Sequence, residues 1–186
     1  MPSLPELREP LSDGVVSVRL GAERDIPEVL IAYQDDPSLH LRMGQPRPPS
    51  GAELGRRAER AEADRVAGRL LTLTIVEPDD DTGRGQIHVS GVDWDNLRAE
   101  LGIWVAPQRR GRGVGARALG LVAAWLLLDG GLERVQMLIE ADNARMIHVA
   151  QAAGFTYEGV LRGYAREGDA RVDNAVLSMV ARDLRG

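Results

Sequence analysis

From Val114 to Leu128 the chain is apolar at almost every position, with Arg117 as the one charge, and Gly130-Gly131 then stop the run. A helix that is apolar nearly all round has no face to offer water, so the rest of the chain must cover it on most sides. The run is far below the roughly 20 residues that span a bilayer, and Asp129 halts it. It therefore predicts a buried central helix and no membrane span. With 186 residues, 44% of them hydrophobic and 27% charged, the chain is long enough to supply that cover as one compact domain, 1–186, and its composition excludes a disordered chain.

Two residue types are missing, and their absence removes whole classes of chemistry. There is no Cys, and all 23 basic residues are Arg. Disulfides, thiolate nucleophiles, Cys-ligated zinc and lysine Schiff bases are thereby excluded. The formal net charge of −5 and a pI near 5.3 disfavour nucleic acid and anionic membranes as partners. The start, Met1-Pro2-Ser3-Leu4-Pro5-Glu6, lacks the basic and apolar regions of a secretory signal, so a cytoplasmic location is expected. His40 and His88 are too far apart to imply a metal site, and no metal is expected.

Around the central run the pattern alternates between strand and helix. Val15 to Leu20 reads as a strand, and Asp25 caps a helix that carries Pro27 in its first turn and reaches about Gln34. A Pro- and Gly-rich loop, Met43 to Gly51, precedes a surface helix over Ala52 to Arg69 with a thin apolar stripe. Leu70 to Val76 and Gly85 to Gly91 form a hairpin across a solvated acidic turn, Glu77 to Gly83. Ala99 to Val105, Val135 to Ile139, Phe155 to Leu161 and Ala175 to Val180 are further strands, and Asn143 to Ala153 is a helix ended by Gly154. The order predicts a mixed α/β, mostly antiparallel sheet of six to seven strands flanked by about four helices.

The turn that opens the central helix carries the chemistry. Gly111, Gly113 and Gly115, interleaved with Arg112 and Val114, join a strand to a buried helix, where backbone N–H groups and the helix N-terminus can cradle phosphate oxygens. Arg109, Arg110 and Arg112 crowd the same turn. A P-loop would require a lysine that the chain does not contain. A dinucleotide fold would place its glycines directly after its first strand, whereas here several elements come earlier.

Gln108-Arg109-Arg110-Gly111-Arg112-Gly113 resembles the [Q/R]-x-x-G-x-[G/A] acyl-CoA pyrophosphate loop of the GNAT N-acetyltransferase superfamily. The strand before it, Asn143 opening the next helix and Gly154-Phe155 closing that helix strengthen the likeness. The stretch from Arg98 to Leu184 resembles the RimJ/RimL branch, whose named members acetylate N-terminal amines of ribosomal proteins. The resemblance implies acetyl-CoA as co-substrate and a primary amine as acceptor, a peptide N-terminus or a small molecule. It places the coenzyme on Gln108 to Gly115 and Asn143, with backbone groups of Trp104 and Val105 facing the thioester. A homodimer is compatible with it.

On a strand, Glu100, Gly102 and Trp104 share one face. Gly102 leaves space beside the Glu100 carboxylate, which suits Glu100 to accept the acceptor's proton, directly or through water. Asp93 and Asp95 are rival bases. Where many relatives carry Ser or Tyr to meet the leaving thiolate, this chain has Met146 and Ala150; a thiol of pKa about 8.5 can leave with water as its proton source, and Tyr164 or His148 is the second choice. Those two departures also admit a non-catalytic acyl-CoA-binding sensor as an alternative, beside acyltransferases with another donor or a small amine acceptor.

Overall fold

A computed structural model describes residues 2–184, and Met1, Arg185 and Gly186 lie outside the described residues. The chain forms β1 (Leu11–Ser12), β2 (Ser17–Leu20), α1 (Ile26–Asp35), α2 (Leu39–Arg42), α3 (Gly51–Val66), β3 (Leu71–Glu77), β4 (Asp80–Asp93), β5 (Arg98–Val105), α4 (Val114–Leu128), β6 (Arg134–Glu140), α5 (Ala144–Ala152), β7 (Thr156–Glu167) and β8 (Ala170–Val180). All eight strands belong to one sheet, in the order β1-β2-β3-β4-β5-β6-β8-β7. Every neighbouring pair is antiparallel except β5 and β6. The mixed, mostly antiparallel sheet agrees with the expectation. The strand count exceeds it because β1 has only two residues, too few to leave a pattern.

The register sorts the sheet into two chemically different faces. Leu73, Ile87, Val89, Leu101, Val135, Met137 and Leu177 point to one side and are buried against α4. Ala118, Leu119, Val122, Ala123, Leu126 and Leu127 of that helix are buried there too, as its apolar composition requires. The opposite face is polar for much of its width. Thr72 stands beside His88 and His88 beside Gly102, while Ser90, Glu100, Gln136 and Ser178 follow one another across four strands. Over β4 and β5 it is roofed by a smaller apolar cluster of Val29, Ala32, Tyr33, Leu39 and Trp104, against which Leu54 of α3 packs.

A buried ion pair fixes α1 to this face. Arg19 of β2 donates to both carboxylate oxygens of Asp25, at 3.0 and 2.7 Å, and Thr74 donates to Asp25 Oδ2 at 2.6 Å. Asp81, from the acidic turn, accepts from Arg19 and Arg24. Asp80 and Asp81 are thus not simply solvated: both are held by arginines, Asp80 by Arg84. The turn itself is shorter than expected, since β4 begins at Asp80. Among the described residues no helix is long and apolar enough to cross a membrane.

Burial pushes the Asp25 carboxyl up, but hydrogen bonds from Arg19, Thr74 and the Ala22 amide outweigh it and hold the group below the usual carboxylate range. Its folded pKa lies below its unfolded one, so the pair's contribution is complete above about pH 4 and drains away as pH falls through the folded value. Asp25→Ala leaves Arg19 buried without its partner and is expected to cost about 3–5 kcal/mol at neutral pH. Urea unfolding checks this, and the gap between variant and wild type should narrow below pH 4.

Candidate active site

β5 and β6 run parallel but pair only at Arg98 with Arg134, Ala99 with Val135 and Glu100 with Gln136. Beyond Glu100, β5 stays bonded to β4, while β6 stays bonded along its whole length to β8. The strands part there, and alternate backbone N–H and C=O groups of each face the gap instead of a partner. A cleft of about 1540 Å³ opens at this wedge, and Glu100, Gly102, Ile103, Trp104, Val105 and Leu138 are among its walls.

At the mouth of the wedge sits the glycine-rich turn. Gly111 and Gly113 have φ of +76° and +77°, which side-chain-bearing residues rarely adopt. Gly113 precedes α4 without any side-chain cap, so the first-turn N–H groups have no partner from the helix itself and are free for an anion. Gly115 lies where a Cβ would come 3.4 Å from Val149 and 3.5 Å from Val105, so its bare backbone lets α4 sit close under β5 and α5.

The side chains of this turn are used differently from one another. Gln108 donates to Asp35 at 2.6 Å, Arg109 pairs with Glu77 at 2.6 Å, and Arg110 reaches the Val105 carbonyl and Asp36 at 2.8 and 2.6 Å. They fasten the turn to the protein. Arg112 has no ion-pair partner among the described residues and is exposed. Asn143 caps α5, its side-chain oxygen accepting from the Met146 amide at 3.1 Å, and it lines the cleft. Val114 and Gly115 also line it. Trp104 lines it too, and its ring packs in the small apolar cluster under α1.

Glu100 stands at the apex, where the two strands separate. Gln136 donates to its Oε1 at 3.2 Å, and the amide is oriented by Arg134, whose Nε donates to Gln136 Oε1 at 3.1 Å. Arg134 is itself clamped by both oxygens of Glu158, at 2.8 and 2.6 Å, and Ser178 donates to Glu158 at 2.6 Å. Glu100 also borders a second hollow of about 560 Å³ behind the apex, with Tyr164 on its rim. Asp93 and Asp95 are not among the cleft's walls, and Asp93 is occupied by Asn96 and Arg98. Met146 and His148 border the cleft, whereas Ala150 is wholly buried.

Several cleft residues carry no sequence signal as site residues. His88 lies directly across from Gly102, its Nδ1 3.2 Å from the Thr72 hydroxyl. Tyr33 donates to Gln45 at 3.2 Å. Arg57 of α3 borders the same space. Glu140, at the end of β6, is raised above the ordinary carboxylate pKa by burial and by the neighbouring Glu167 and Asp142 charges. Alternation on β4 alone would have put His88 on the polar face, but nothing local shows that Arg57 of α3 borders the same cleft. Among the described residues no cluster of His, Asp or Glu could hold a metal ion.

Residues 17–156 match the family model of the acetyltransferase (GNAT) domain. A mycothiol acetyltransferase of Rhodococcus erythropolis is 28% identical over 180 residues, which cover 89% of this chain. They cover 54% of that relative, so the chain spans about half its length. The microcin C7 self-immunity acetyltransferase MccE, solved with acetyl-CoA and AMP, superposes with a TM-score of 0.80 at 21% identity, covering 91% of this chain and 94% of that one. RimL, a ribosomal L7/L12 alpha-N-protein acetyltransferase solved with coenzyme A, gives 0.80 at 15% identity, covering 92% and 98%.

Burial, reinforced by the Arg57 charge, lowers the His88 pKa to about 4. His88 is therefore expected to stay neutral from pH 5 to 8. Proton NMR titration of its ring checks this, and Arg57→Ala should move the midpoint upward toward the ordinary value near 6.5.

Proposed function

The chain belongs to the GNAT acetyltransferase family, and from that premise we propose that it carries the acetyl group of acetyl-CoA to an α-amine, such as a peptide N-terminus, acting as a single domain. One observation carries this reading: the β5–β6 wedge joins an uncapped helix N-terminus at its mouth to a carboxylate at its apex. Fold neighbours solved with acetyl-CoA or coenzyme A support the co-substrate.

The N–H groups of the Gly111 to Gly115 turn and the start of α4 receive the pyrophosphate, with Arg112 as the free cation beside it. The pantetheine arm extends into the wedge, where unpaired backbone groups near Trp104 and Val105 bond its amides and polarise the thioester carbonyl. The amine attacks the carbonyl carbon, the C–N bond forms, the C–S bond breaks, and coenzyme A leaves as its thiol. Glu100 takes the ammonium's proton, with its carboxylate held in one orientation by Gln136. Met146 and Ala150 offer no proton to the sulfur, and a thiol of pKa about 8.5 leaves with water as its proton source.

Proton arithmetic favours the α-amine. Freeing an amine of pKa about 7.8 at pH 7 costs roughly 1 kcal/mol, against roughly 4.6 for a lysine amine of pKa about 10.4. A single carboxylate base suits the first much better.

Glu100→Gln keeps the volume and the bond to Gln136 but cannot accept a proton, so kcat should fall roughly 10²–10⁴-fold with coenzyme affinity nearly unchanged. Steady-state kinetics with a peptide panel tests this, and a folded variant with wild-type kcat would assign the proton to solvent. In contrast, Gly113→Asp places a like charge and a left-handed side-chain residue at the turn. Calorimetry should show coenzyme A binding at least roughly tenfold weaker, the effect of losing one charge-assisted bond.

A further inference from the structure

The acceptor's side of the cleft is electrically divided. Of the cationic side chains bordering the cleft, Arg42 and Arg110 are tied to Asp36, Arg109 to Glu77 and Arg166 to Asp169. Arg57 and Arg60, on α3, have no carboxylate partner among the described residues, and neither has Arg145, which belongs to the coenzyme side next to Asn143. The acidic groups of the cleft that lack an arginine partner among the described residues are Glu100, Glu140 and Glu167, on β5, β6 and β7. Asp25 and Asp64 are neutralised by Arg19 and Arg69. The unpaired cations of the acceptor side thus lie on α3, and the unpaired carboxylates on the strands of the sheet.

Arg57 is exposed and stands at the border of the cleft. The inward stripe of α3 is Leu54, Ala58 and Ala61, and the two alanines leave room between the helix and the sheet. Arg57 flanks this stripe and borders the same cleft as Tyr33 and His88, and its charge acts on both, opposing burial at Tyr33 and adding to it at His88. His88 is fixed by Thr72 through one ring nitrogen, leaving the other for a ligand. Gly102, opposite His88, has open space as far as the Met43 methyl, 3.8 Å from where its Cβ would be.

We infer that Arg57, with His88, forms a subsite for an anionic group on the acceptor, so that the substrate class is an amine bearing a carboxylate or phosphate a short way from the reacting nitrogen. This deepens the acetyl-transfer reading and rests on it. Glu100 and His88 are diagonal neighbours on adjacent antiparallel strands, their positions about 7–8 Å apart, so amine and anion are held at separate points of the cleft. That span fits an acidic or phosphorylated side chain on the first or second residue of a peptide. The carboxylate of a free α-amino acid lies too close to its own amine to bridge it. A polyamine would set its second cation against Arg57.

The test uses peptides of one length that begin Ser-Asp, Ser-phosphoserine, Ser-Ala and Ser-Lys, together with spermidine, at saturating acetyl-CoA. The two anionic peptides should exceed Ser-Lys in kcat/KM by at least roughly tenfold, as one charge-assisted hydrogen bond predicts. Their relative rank tells carboxylate from phosphate. Arg57→Ala should flatten the order and Arg57→Glu reverse it, through KM and not kcat. Preference for Ser-Lys or spermidine in the wild type, or an order unchanged in Arg57→Glu, overturns the inference. Absence of turnover with every amine would overturn the acetyl-transfer reading instead. The subsite is then judged by NMR, since the chain has only 3 histidines. The acetylated Ser-Asp peptide should shift the His88 ring signals saturably, and this shift should vanish in Arg57→Ala. No shift in the wild type refutes the subsite whatever the turnover.

Discussion

Everything that can be done chemically here depends on two strands that begin as partners and then separate. A sheet normally satisfies its backbone polar groups within itself, and leaving them bare inside a protein is costly. β5 and β6 tolerate it because each is secured on its other side, to β4 and β8, while α4 packs beneath both of them. The gap is therefore not a defect of packing but a row of donors and acceptors held ready at fixed spacing. The apolar helix and the polar cleft are two sides of one arrangement: the first anchors the sheet that the second splits.

The charge network shows how the two substrate sides are tied together. Asp36, just past the end of α1, accepts from Arg42 of α2, Ser38 and Arg110 of the glycine-rich turn. Although burial opposes it, these donors keep its carboxyl ionised, with a pKa of about 2. One carboxylate thereby ties the α1–α2 corner to the glycine-rich turn. Arginine suits such a hub better than lysine, since its planar fork can bond two partners in fixed directions.

The second half of the chain was the more legible. A run as apolar as Val114 to Leu128 admits one environment, and glycines mark both of its ends. Glu100 could be placed on the open face by alternation alone. β7 was expected to end at Leu161; it continues to Glu167, because irregular registers at Tyr157–Gly159 and Leu161–Ala165 break the strict alternation by which a strand is read. Likewise α2 is a single short turn that leaves no period. The side chains of Gln108, Arg109 and Arg110 look locally like ligands for phosphate, yet they are bonded to Asp35, Glu77 and Asp36. Those partners come from distant stretches of chain, and only the folded arrangement brings them near. The same holds for Arg57, which borders the same cleft as His88.

That every positive side chain is a guanidinium has a further consequence for a catalyst of this kind. Thioesters acylate unprotonated amines even without assistance, and an ε-amine close to a bound one would be a standing target. A guanidinium stays protonated at any physiological pH and is a very poor nucleophile. With no lysine anywhere in the sequence, the ion pairs that hold the turn, the corner and the apex carry no side chain that the bound acyl group could modify. The ion pairs that hold the site together offer the reagent no ε-amine.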